Sequence, residues 1–527
     1  MRDILLVGIN SKYIHSCLAV RYMSRYASVP FMEFSINDDI FSVYKKLLNK
    51  KVEFMCFSTY IWNIEYIKKI CGMLHTAKPG LKIILGGPEA GYGKDELFEN
   101  CEWLYGVVTG EGEEFIKALK QESDLTKIPN LSFRKDGKIA ENNFVKTDLA
   151  KLEFPYTKED LSGNLENRIV YFETSRGCLF NCSYCLSSAE GITRFFTIEY
   201  VKKSLKTFMD YKIPLVKFVD RTFNENNERA IEIVKFILEN NKETRFHFEI
   251  APQLLTKEFI DLCSKQPAWF QFEMGIQTTN VNTMKAIKRT YDLNKTAEKI
   301  KSIPEEIHCH LDLIAGLPYE TITSFEEGFN YVYNLKPDML QVGFLKLLKH
   351  TKMYTDADKF SIKTTNFPPY EVLSTDTISY DEMISLKNLE SAVDRLYNSG
   401  AFKNTLDNLT MENPFEFYME LGQKLFEAEY NAPLSRTALY EFMYKIIPEH
   451  KKSLTIDFIK NNRKAKLPEC FADEPHSQKD YHKILASISE FKDIKFRLIF
   501  ASGSVFAITE RDVIDVTDIL QKNPSQK

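Results

Sequence analysis

The first 125 residues alternate short apolar runs with stretches in which apolar residues return every three or four positions. Short apolar runs bounded by turn residues predict buried strands, and the longer period predicts amphipathic helices. The runs predict five strands: Asp3–Gly8, Phe31–Ser35, Phe54–Ser58, Leu81–Pro88 with its turn, and Trp103–Val108. Because helical segments separate the strands, we predict a doubly wound α/β domain built on a parallel sheet.

Polar and glycine residues follow three of these strands, at the edge where parallel sheets bind their ligands. They are Ser58 and Thr59 after strand three, Gly86 and Gly87 after strand four, and Thr109 and Gly110 after strand five. Glycine lets a ligand approach the backbone closely, although it also serves ordinary strand-to-helix turns. The Gly-x-Gly-x-x-Gly fingerprint of dinucleotide-binding domains is missing after strand one, which argues against NAD.

Residues 126–167 predict a hairpin and a linker, because Asp136-Gly137 is a favourable hairpin turn and residues 148–167 are polar. Residues 168–360 alternate strand-like runs with helical segments. The runs are Asn167–Glu173, Leu215–Asp220, Arg245–Glu249, Phe270–Gln277, His308–Glu320 with its loop, and Met339–Phe344. This pattern predicts a partial barrel of six βα units, whose catalytic groups lie at the carboxyl ends of the strands.

Residues 361–527 change to long helical patterns and predict a mostly helical domain. The helical segments are Tyr380–Ser399, Pro414–Tyr430, Ser435–Ile447 and Ser453–Asn462, and Lys495–Phe500 with Val505–Thr509 predict a closing β pair. The sequence of this region contains no recognisable cluster motif, nucleophile triad or phosphate loop. We expect it to close the bottom of the barrel or to contact the substrate.

The composition is that of a multidomain globular protein, with 44% hydrophobic and 27% charged residues and a net charge of −4. This balance gives no electrostatic reason to expect nucleic acid as a partner. No apolar run reaches transmembrane length, so no membrane is expected as a partner. With no secretory signal at the N-terminus, we expect a reducing cytoplasm.

Three of the ten cysteines fall within eight residues, Cys178, Cys182 and Cys185, in the spacing C-x3-C-x2-C. Three thiolates on one loop can hold three irons of a four-iron cluster, and the fourth iron then stays open to a small molecule. A zinc site would need a fourth cysteine or histidine at finger-like spacing, and the next histidine is His247. The other cysteines are scattered singly, which argues against a disulfide framework.

The run Arg176-Gly-Cys178-x3-Cys182-Ser-Tyr184-Cys185 resembles the signature loop of the radical S-adenosylmethionine (SAM) superfamily. The resemblance implies that the open iron chelates the amino and carboxylate groups of SAM. It implies that one electron then cleaves SAM to methionine and a 5′-deoxyadenosyl radical. It also implies a flavodoxin or ferredoxin as electron donor and anaerobic handling of the [4Fe-4S] cluster. The protein positions and shields these groups.

The resemblance assigns contacts with SAM to residues near the ends of the barrel strands. They are Tyr184 at the adenine, Asp220 at the SAM ammonium, Glu249 and Gln277 at the ribose or carboxylate, and Gly316, whose backbone helps to cradle the adenine within Asp312–Pro318. Asp220 can instead be the N-cap of a helix. Glu249 and Gln277 can instead line the substrate cavity.

For three further residues of the barrel, the sequence leaves more than one role open. Arg176 either tunes the charge of the cluster or only pairs with Glu173. His308 and His310 alternate along one strand and therefore share a face. We expect that face to be packed rather than part of a wet barrel interior.

The segments Gly86-Gly-Pro-Glu89 and Thr109-Gly-Glu-Gly-Glu113, placed before a radical SAM loop, resemble the cobalamin-binding domain of cobalamin-dependent radical SAM proteins. The Asp-x-His-x-x-Gly motif, whose histidine ligates cobalt in many cobalamin enzymes, is absent. His15 lies in the matching loop without that context, and it is either a helix-start residue or a cobalamin contact. We expect cobalamin in this domain with no histidine on the cobalt.

The primary hypothesis is a cobalamin-dependent radical SAM enzyme that transfers a methyl group to an unactivated carbon of a small-molecule or peptide substrate. One alternative is a cobalamin-free radical SAM enzyme for cyclisation, rearrangement or oxidation, with the N-terminal domain as a scaffold. Another is a non-catalytic iron–sulfur protein. An RNA-modifying methylthiotransferase would bring three more cluster cysteines upstream and a basic RNA-binding module downstream, and the sequence shows neither.

Overall fold

The structure is a computed structural model that describes residues 2–189, 191–473, 497–509 and 513–517. The chain divides into two compact units. The first comprises Met1–Gly328, Leu335–Pro337 and Gly343–Tyr380, and the second comprises Phe329–Asn334, Asp338–Val342 and Asp381–Lys527. No helix within the described ranges is both long and apolar enough to cross a membrane.

The first unit begins with a sheet of seven strands in the order β2-β1-β3-β4-β5-β6-β7. The strands are β1 Ile4–Asn10, β2 Phe31–Ser35, β3 Phe54–Ser58, β4 Lys82–Gly86, β5 Leu104–Val108, β6 Leu131–Lys135 and β7 Lys138–Glu141. Strands β1 to β5 are parallel, as the sequence predicts. The hairpin predicted at Asp136-Gly137 is β6–β7, and it extends this sheet as an antiparallel edge instead of standing apart from it.

Helices cover both faces of this sheet, which confirms the doubly wound prediction. They are α1 Leu18–Ala27, α2 Ile40–Leu48, α3 Ile64–Ala77, α4 Pro88–Tyr92, α5 Lys94–Asn100 and α6 Glu113–Gln121. One apolar layer contains Leu47 of α2 and Ile67 of α3, and the other contains Val20 of α1 and Phe115 of α6. Because these two layers lie on the faces of the sheet, the carboxyl ends of β3, β4 and β5 remain free to form a ligand site.

A second sheet of six strands follows in the order β15-β14-β13-β12-β11-β8, where β8 and β15 are the two edges and do not pair. The strands of the barrel region are β8 Val170–Phe172, β9 Ser175–Arg176, β10 Arg194–Phe195, β11 Leu215–Phe218, β12 Arg245–Glu249, β13 Phe270–Gln277, β14 His308–Ala315 and β15 Met339–Phe344. The intervening helices are α7 Ile198–Asp210, α8 Asn227–Asn240, α9 Lys257–Cys263, α10 Val281–Ala286, α11 Leu293–Lys301 and α12 Ile322–Tyr333. The partial barrel of six βα units is therefore confirmed.

Strand β13 shows why the barrel has an apolar outside layer and a polar interior. Its residues alternate between buried and half-buried along the whole strand. Phe270 and Phe272 are buried, whereas Glu273 and Gln277 belong to the half-buried set that lines the interior. Because side chains of a strand point to opposite faces in turn, this alternation separates the core from the site.

The first unit ends with three short elements, α13 Lys352–Thr355, β16 Lys363–Thr364 and β17 Val372–Ser374. The second unit is mostly helical, as predicted. Its regular elements are α14 Tyr380–Ala392, α15 Lys403–Asp407, α16 Pro414–Ala428, α17 Arg436–Ile446, α18 Lys451–Asn461, β18 Arg497–Ala501, β19 Ser504–Ile508 and β20 Val513–Asp515. Residues 495 and 496 of the predicted β pair lie outside the described residues, and β20 adds a third antiparallel strand.

Candidate active site

The three cysteines lie on the loop after β9 and face one cavity of about 200 Å³. Cys178 and Cys182 are buried, and Cys185 is half-buried. Gly177 begins the loop with φ +102°, and a Cβ at this position would lie 2.2 Å from the carbonyl oxygen of Ile192. This tight turn can only be made by glycine. The loop therefore brings three potential thiolate ligands to one side of a cavity, as the spacing predicts.

The opposite wall of this cavity comes from the carboxyl ends of three neighbouring strands. Glu249 of β12, Gln277 of β13 and Asp312 of β14 all line it, together with Tyr184 of the cysteine loop. Burial raises the pKa of Glu249 to about 7, although the charge of Arg221 acts in the opposite direction. Tyr184, Glu249 and Gln277 thus line the same cavity as the three cysteines, and their contact with SAM stays a prediction.

Gln277 gives a physical test of whether a polar ligand fits this cavity. Its φ is +71°, and its Oε1 is buried without a hydrogen-bond partner among the residues that the structure describes. A Cβ at Gly275 would lie 1.9 Å from Gln277 Nε2, so glycine makes the room for this side chain. A buried amide oxygen without a partner is costly. A polar ligand beside the cysteines would satisfy it.

Arg289 is a site residue that the sequence analysis missed. It lies between α10 and α11, lines the same cavity, and donates from Nη1 to Cys182 Sγ at 3.8 Å and from Nη2 to the Gly275 carbonyl at 2.7 Å. The guanidinium of Arg289 therefore contacts one of the three potential cluster ligands. Nothing in the local sequence around Arg289 indicates this role, because its partners are far along the chain.

The structure brings neither Asp220 nor Gly316 into the lining of this cavity. The Asp220 carboxylate is buried and accepts hydrogen bonds from the Thr174 amide at 3.0 Å and from the Thr174 and Ser175 hydroxyls. It therefore ties β8 to β11, and it is not a helix N-cap either, since α8 begins after Asn226. Gly316 makes the turn after β14 with φ +82°. The geometry does not favour a direct SAM contact for either residue.

A larger cavity of about 740 Å³ lies between the first sheet and the barrel, within the first unit. Five of the six predicted residues line it: Ser58, Gly86, Gly87, Thr109 and Gly110. The sixth, Thr59, does not. Its hydroxyl is buried, donates to the Gly86 carbonyl at 2.8 Å and accepts from the Ala90 amide at 3.0 Å. Thr59 therefore fixes the turn after β4 instead of facing a ligand.

Two residues show that a polar ligand would fit the larger cavity. Gly87 has φ +101°, and a Cβ there would lie 2.4 Å from the Thr59 carbonyl oxygen. The turn must therefore be glycine, and its backbone is left open to the cavity. Thr109 Oγ1 is buried and has no hydrogen-bond partner in the described part of the chain. A ligand with hydrogen-bonding groups would satisfy this hydroxyl.

His15 also lines the larger cavity. Its Nδ1 lies 2.6 Å from the Tyr171 hydroxyl, which belongs to β8 of the barrel. Burial lowers the pKa of His15, and Lys12 and Lys217 act in the same direction. Helix α1 begins only after Cys17, so His15 is a cavity residue and not a helix-start residue.

Arg176 joins the cysteine loop to the Thr109–Glu113 segment. Its Nη2 lies 2.7 Å from both Glu173 Oε1 and Glu113 Oε1, and its Nη1 lies 3.7 Å from Glu111 Oε2. Burial acts to lower the pKa of Arg176, but Glu173 and Glu113 outweigh it and raise the pKa well above its ordinary value. The predicted pairing with Glu173 is confirmed, and the pairing with Glu113 is new.

His310 is buried, and its surroundings in the barrel interior are polar. Lys217 and His247 each lie 2.8 Å from Glu273 Oε2, and His310 Nε2 lies 2.7 Å from Asp312 Oδ1. Burial acts to raise the pKa of Glu273, but His247 and Lys217 outweigh it and hold the pKa well below its usual range. The sequence predicts that His308 and His310 share a face, but not the pairing of Glu273 with residues of β11 and β12.

Arg221, just after β11, is the residue at which the two cavities meet. Among the described residues, it alone lines both of them. The larger cavity faces the glycine turns of the first sheet, and the smaller one faces the three cysteines.

Three protein-family models match the chain: the B12 binding domain at residues 5–120, the radical SAM superfamily at residues 172–332, and a protein family of unknown function, DUF4080, at residues 358–502. The chain therefore contains a B12 binding domain, a radical SAM domain and a C-terminal domain of unknown function, in that order.

Two of the curated relatives are methyltransferases of the following kinds. The 2-(S-pantetheinyl)-carbapenam-3-carboxylate methyltransferase of Streptantibioticus cattleyicolor is 22% identical over 305 residues, 52% of this chain and 44% of that protein. The cobalamin-dependent radical SAM methyltransferase TokK of Streptomyces tokunonensis is 22% identical over 298 residues, with the same shares of 52% and 44%. The chain thus spans less than half the length of either relative.

A solved structure shows the same fold. The cobalamin-dependent S-adenosylmethionine radical enzyme OxsB, with aqua-cobalamin and S-adenosylmethionine bound, matches with a TM-score of 0.61 at 14% identity. The match covers 88% of this chain and 82% of OxsB.

Proposed function

We propose that the protein is a radical SAM enzyme that transfers a methyl group, with the help of cobalamin, to an unactivated carbon of a small-molecule or peptide substrate. The observation that carries this proposal is the junction of two cavities at Arg221, one beside three cysteines and one beside the glycine turns of a B12 binding domain. When bound, the cluster supplies an electron for SAM cleavage to a 5′-deoxyadenosyl radical, and cobalamin supplies the methyl group.

In this proposal, Cys178, Cys182 and Cys185 hold the cluster, and the guanidinium of Arg289 contacts the sulfur of Cys182. Gln277 Oε1 accepts a hydrogen bond from SAM, and Glu249, with a pKa of about 7, holds or releases a proton beside it. The surrounding strand ends exclude water from the reacting groups. Water exclusion matters because a carbon radical is consumed by side reactions when solvent reaches it.

The larger cavity would hold cobalamin against Ser58, the Gly86-Gly87 turn and the Thr109-Gly110 turn. Thr109 Oγ1 would donate to a polar group of the cofactor, and the glycine backbones would allow close approach. We also propose a reducing cytoplasm as the location of the enzyme, with a flavodoxin or ferredoxin as its electron donor.

The first test of this function is SAM cleavage. Purified, anaerobically reconstituted protein reduced with dithionite should convert SAM to 5′-deoxyadenosine and methionine, because the cysteine loop leaves one iron open to SAM. Product is measured by chromatography, with iron and sulfide counted in the same sample. If protein of full cluster content yields no product above that of reductant alone, the non-catalytic iron–sulfur alternative is favoured.

The second test is cobalamin binding. Anaerobic titration with hydroxocobalamin should saturate at one equivalent per chain, and His15→Ala should leave the stoichiometry intact, because we expect no histidine on the cobalt. After one-electron reduction of the bound cofactor to cob(II)alamin with dithionite, the electron paramagnetic resonance spectrum should be the same in both proteins. Nitrogen superhyperfine splitting that disappears only in His15→Ala would make His15 the axial ligand. Absence of binding would favour the cobalamin-free radical SAM alternative.

Thr109→Val provides the matched variant for this titration, because it keeps the shape of the side chain and removes only the hydroxyl. We expect it to weaken cobalamin binding by about 1 kcal/mol, or roughly fivefold, as for one ordinary hydrogen bond. An unchanged affinity would show that the Thr109 hydroxyl faces no cofactor group.

A further inference from the structure

Arg221 carries a charge that the described part of the protein leaves unmatched. Its side chain is exposed to both cavities, and no hydrogen bond or ion pair of its guanidinium exists among the described residues. Arg176 and Arg289, which also line the cavities, are held by Glu113 and Glu173 and by Cys182 and Gly275, respectively. Arg221 is therefore the cavity arginine that remains available to a ligand.

The backbone of Arg221 is nevertheless fixed. The hydroxyl of Thr222 donates to the Arg221 carbonyl at 2.7 Å and lies 3.6 Å from Cys178 Sγ. This contact anchors the residue directly beside the cysteine loop. The position of the Arg221 backbone relative to the cysteines is therefore set before any ligand arrives.

Filling both cavities would remove the water that now solvates Arg221. A guanidinium that loses water without gaining a partner is strongly disfavoured. Among the carboxylates of the smaller cavity, Glu273 is paired with Lys217 and His247, and Asp312 is paired with His310. Glu249 feels the charge of Arg221 but forms no ion pair with it in the described part of the chain. A bound carboxylate would therefore supply the direct partner that no described residue gives Arg221.

We propose that Arg221 binds a carboxylate of the substrate and that the enzyme acts on a carboxylate-bearing compound, such as an amino acid or a peptide C-terminus. The planar guanidinium matches a carboxylate through two parallel hydrogen bonds. Glu249, Glu273 and Asp312 line the smaller cavity, so a dianionic phosphate would be repelled, whereas a single carboxylate beside an ammonium group would be tolerated. This inference rests on the proposed function, since it assumes that the substrate occupies the junction.

SAM also carries a carboxylate, so the test must distinguish the carboxylate of SAM from that of the substrate. The reconstituted full chain, loaded with cluster and cobalamin, is treated with phenylglyoxal, and the modification of each arginine is followed by mass spectrometry. The reaction is compared with and without SAM at a concentration that saturates the protein by equilibrium dialysis. We expect SAM to slow the modification of Arg221 by less than about twofold. Strong protection by SAM alone would make the SAM carboxylate the partner and overturn the proposal.

In the second arm, sodium acetate is compared with acetamide in the presence of SAM, with ionic strength held constant by sodium chloride. Acetate should slow the modification of Arg221 by at least about threefold, because it can form the bidentate pair and acetamide cannot. Arg245, an exposed arginine at the start of β12, serves as the internal control and should react equally in both solutions. Equal protection by acetate and acetamide would overturn the proposal.

The variants Arg221→Gln and Arg221→Lys complete the test. Both should bind SAM and cobalamin as the unmodified protein does, since Arg221 is assigned to the substrate. A tenfold loss of SAM affinity in Arg221→Gln would contradict that assignment. Neither the labelling nor the binding arm needs turnover, so a protein that fails to cleave SAM would refute the proposed function without deciding the role of Arg221.

Discussion

Replacing Cys178, Cys182 and Cys185 together with alanine will abolish cluster formation and SAM cleavage. The three side chains face one cavity, and two of them are buried, so each is placed to act as a ligand. An iron–sulfur cluster has no means of attachment without its thiolates. The measurement is the iron and sulfide content after anaerobic reconstitution, combined with the absorption spectrum and with 5′-deoxyadenosine formation.

Cys263→Ala is the matched control for this variant. Cys263 lies in α9, is fully buried and does not line the cavity of the three cysteines, so it is not placed to hold the cluster. The control should reconstitute the same iron content as the unmodified protein and retain product formation. A triple variant that still assembled a four-iron cluster would show that other residues hold the iron.

The elements of the fold were predictable because each depends on a local pattern. The apolar runs of β1 to β5 have the length of buried strands, and strand β13 alternates residue by residue. The cysteine loop was predictable for the same reason, since its spacing is contained within eight residues. The hairpin at Asp136-Gly137 was predicted by its turn, but its attachment to the first sheet depends on β5, about 25 residues earlier in the chain.

The direction of individual side chains at the strand ends was not predictable. A position after a strand indicates the correct edge of the sheet, but Thr59 and Asp220 turn away from the cavities towards backbone groups. Those partners come from other strands, which a sequence pattern does not reveal. The sequence analysis missed Arg221 and Arg289 because these residues line cavities that form only when the barrel is assembled.

The segment Thr109–Glu113 contains one residue whose role was predictable from the sequence and one whose role was not. Its glycines were expected to approach a ligand, and Gly110 does line the larger cavity. Its glutamates carried no predicted role, yet Glu113 binds Arg176, which is 63 residues away in sequence. The same short segment therefore lines the candidate cobalamin site and holds the loop that carries the cluster cysteines.

Replacing Arg176 with glutamine should destabilise the first unit by about 3–5 kcal/mol, because it leaves buried carboxylates facing each other without a counter-charge. The side chains of Arg176, Glu113 and Glu173 are only 15%, 6% and 11% exposed. The measurement is urea unfolding of protein without cluster or cobalamin, with hydrogen exchange of residues 170–178 as a local probe. The local probe is needed because a protein of two units need not unfold in one step.

The control is Arg25→Gln, whose partner is Glu153. Both side chains of that pair are well exposed, at 44% and 66%, so the loss should stay below about 1 kcal/mol. Glu113→Gln and the double variant with Arg176→Gln complete a double-mutant cycle that isolates the coupling between the two segments. A coupling free energy of about 1–3 kcal/mol would establish that the Thr109–Glu113 segment and the cysteine loop stabilise each other. If Arg176→Gln lowered the free energy of unfolding no more than Arg25→Gln does, the Arg176–Glu113 pair would not hold the two segments in place. The surrounding core alone would then have to align the two cofactor sites.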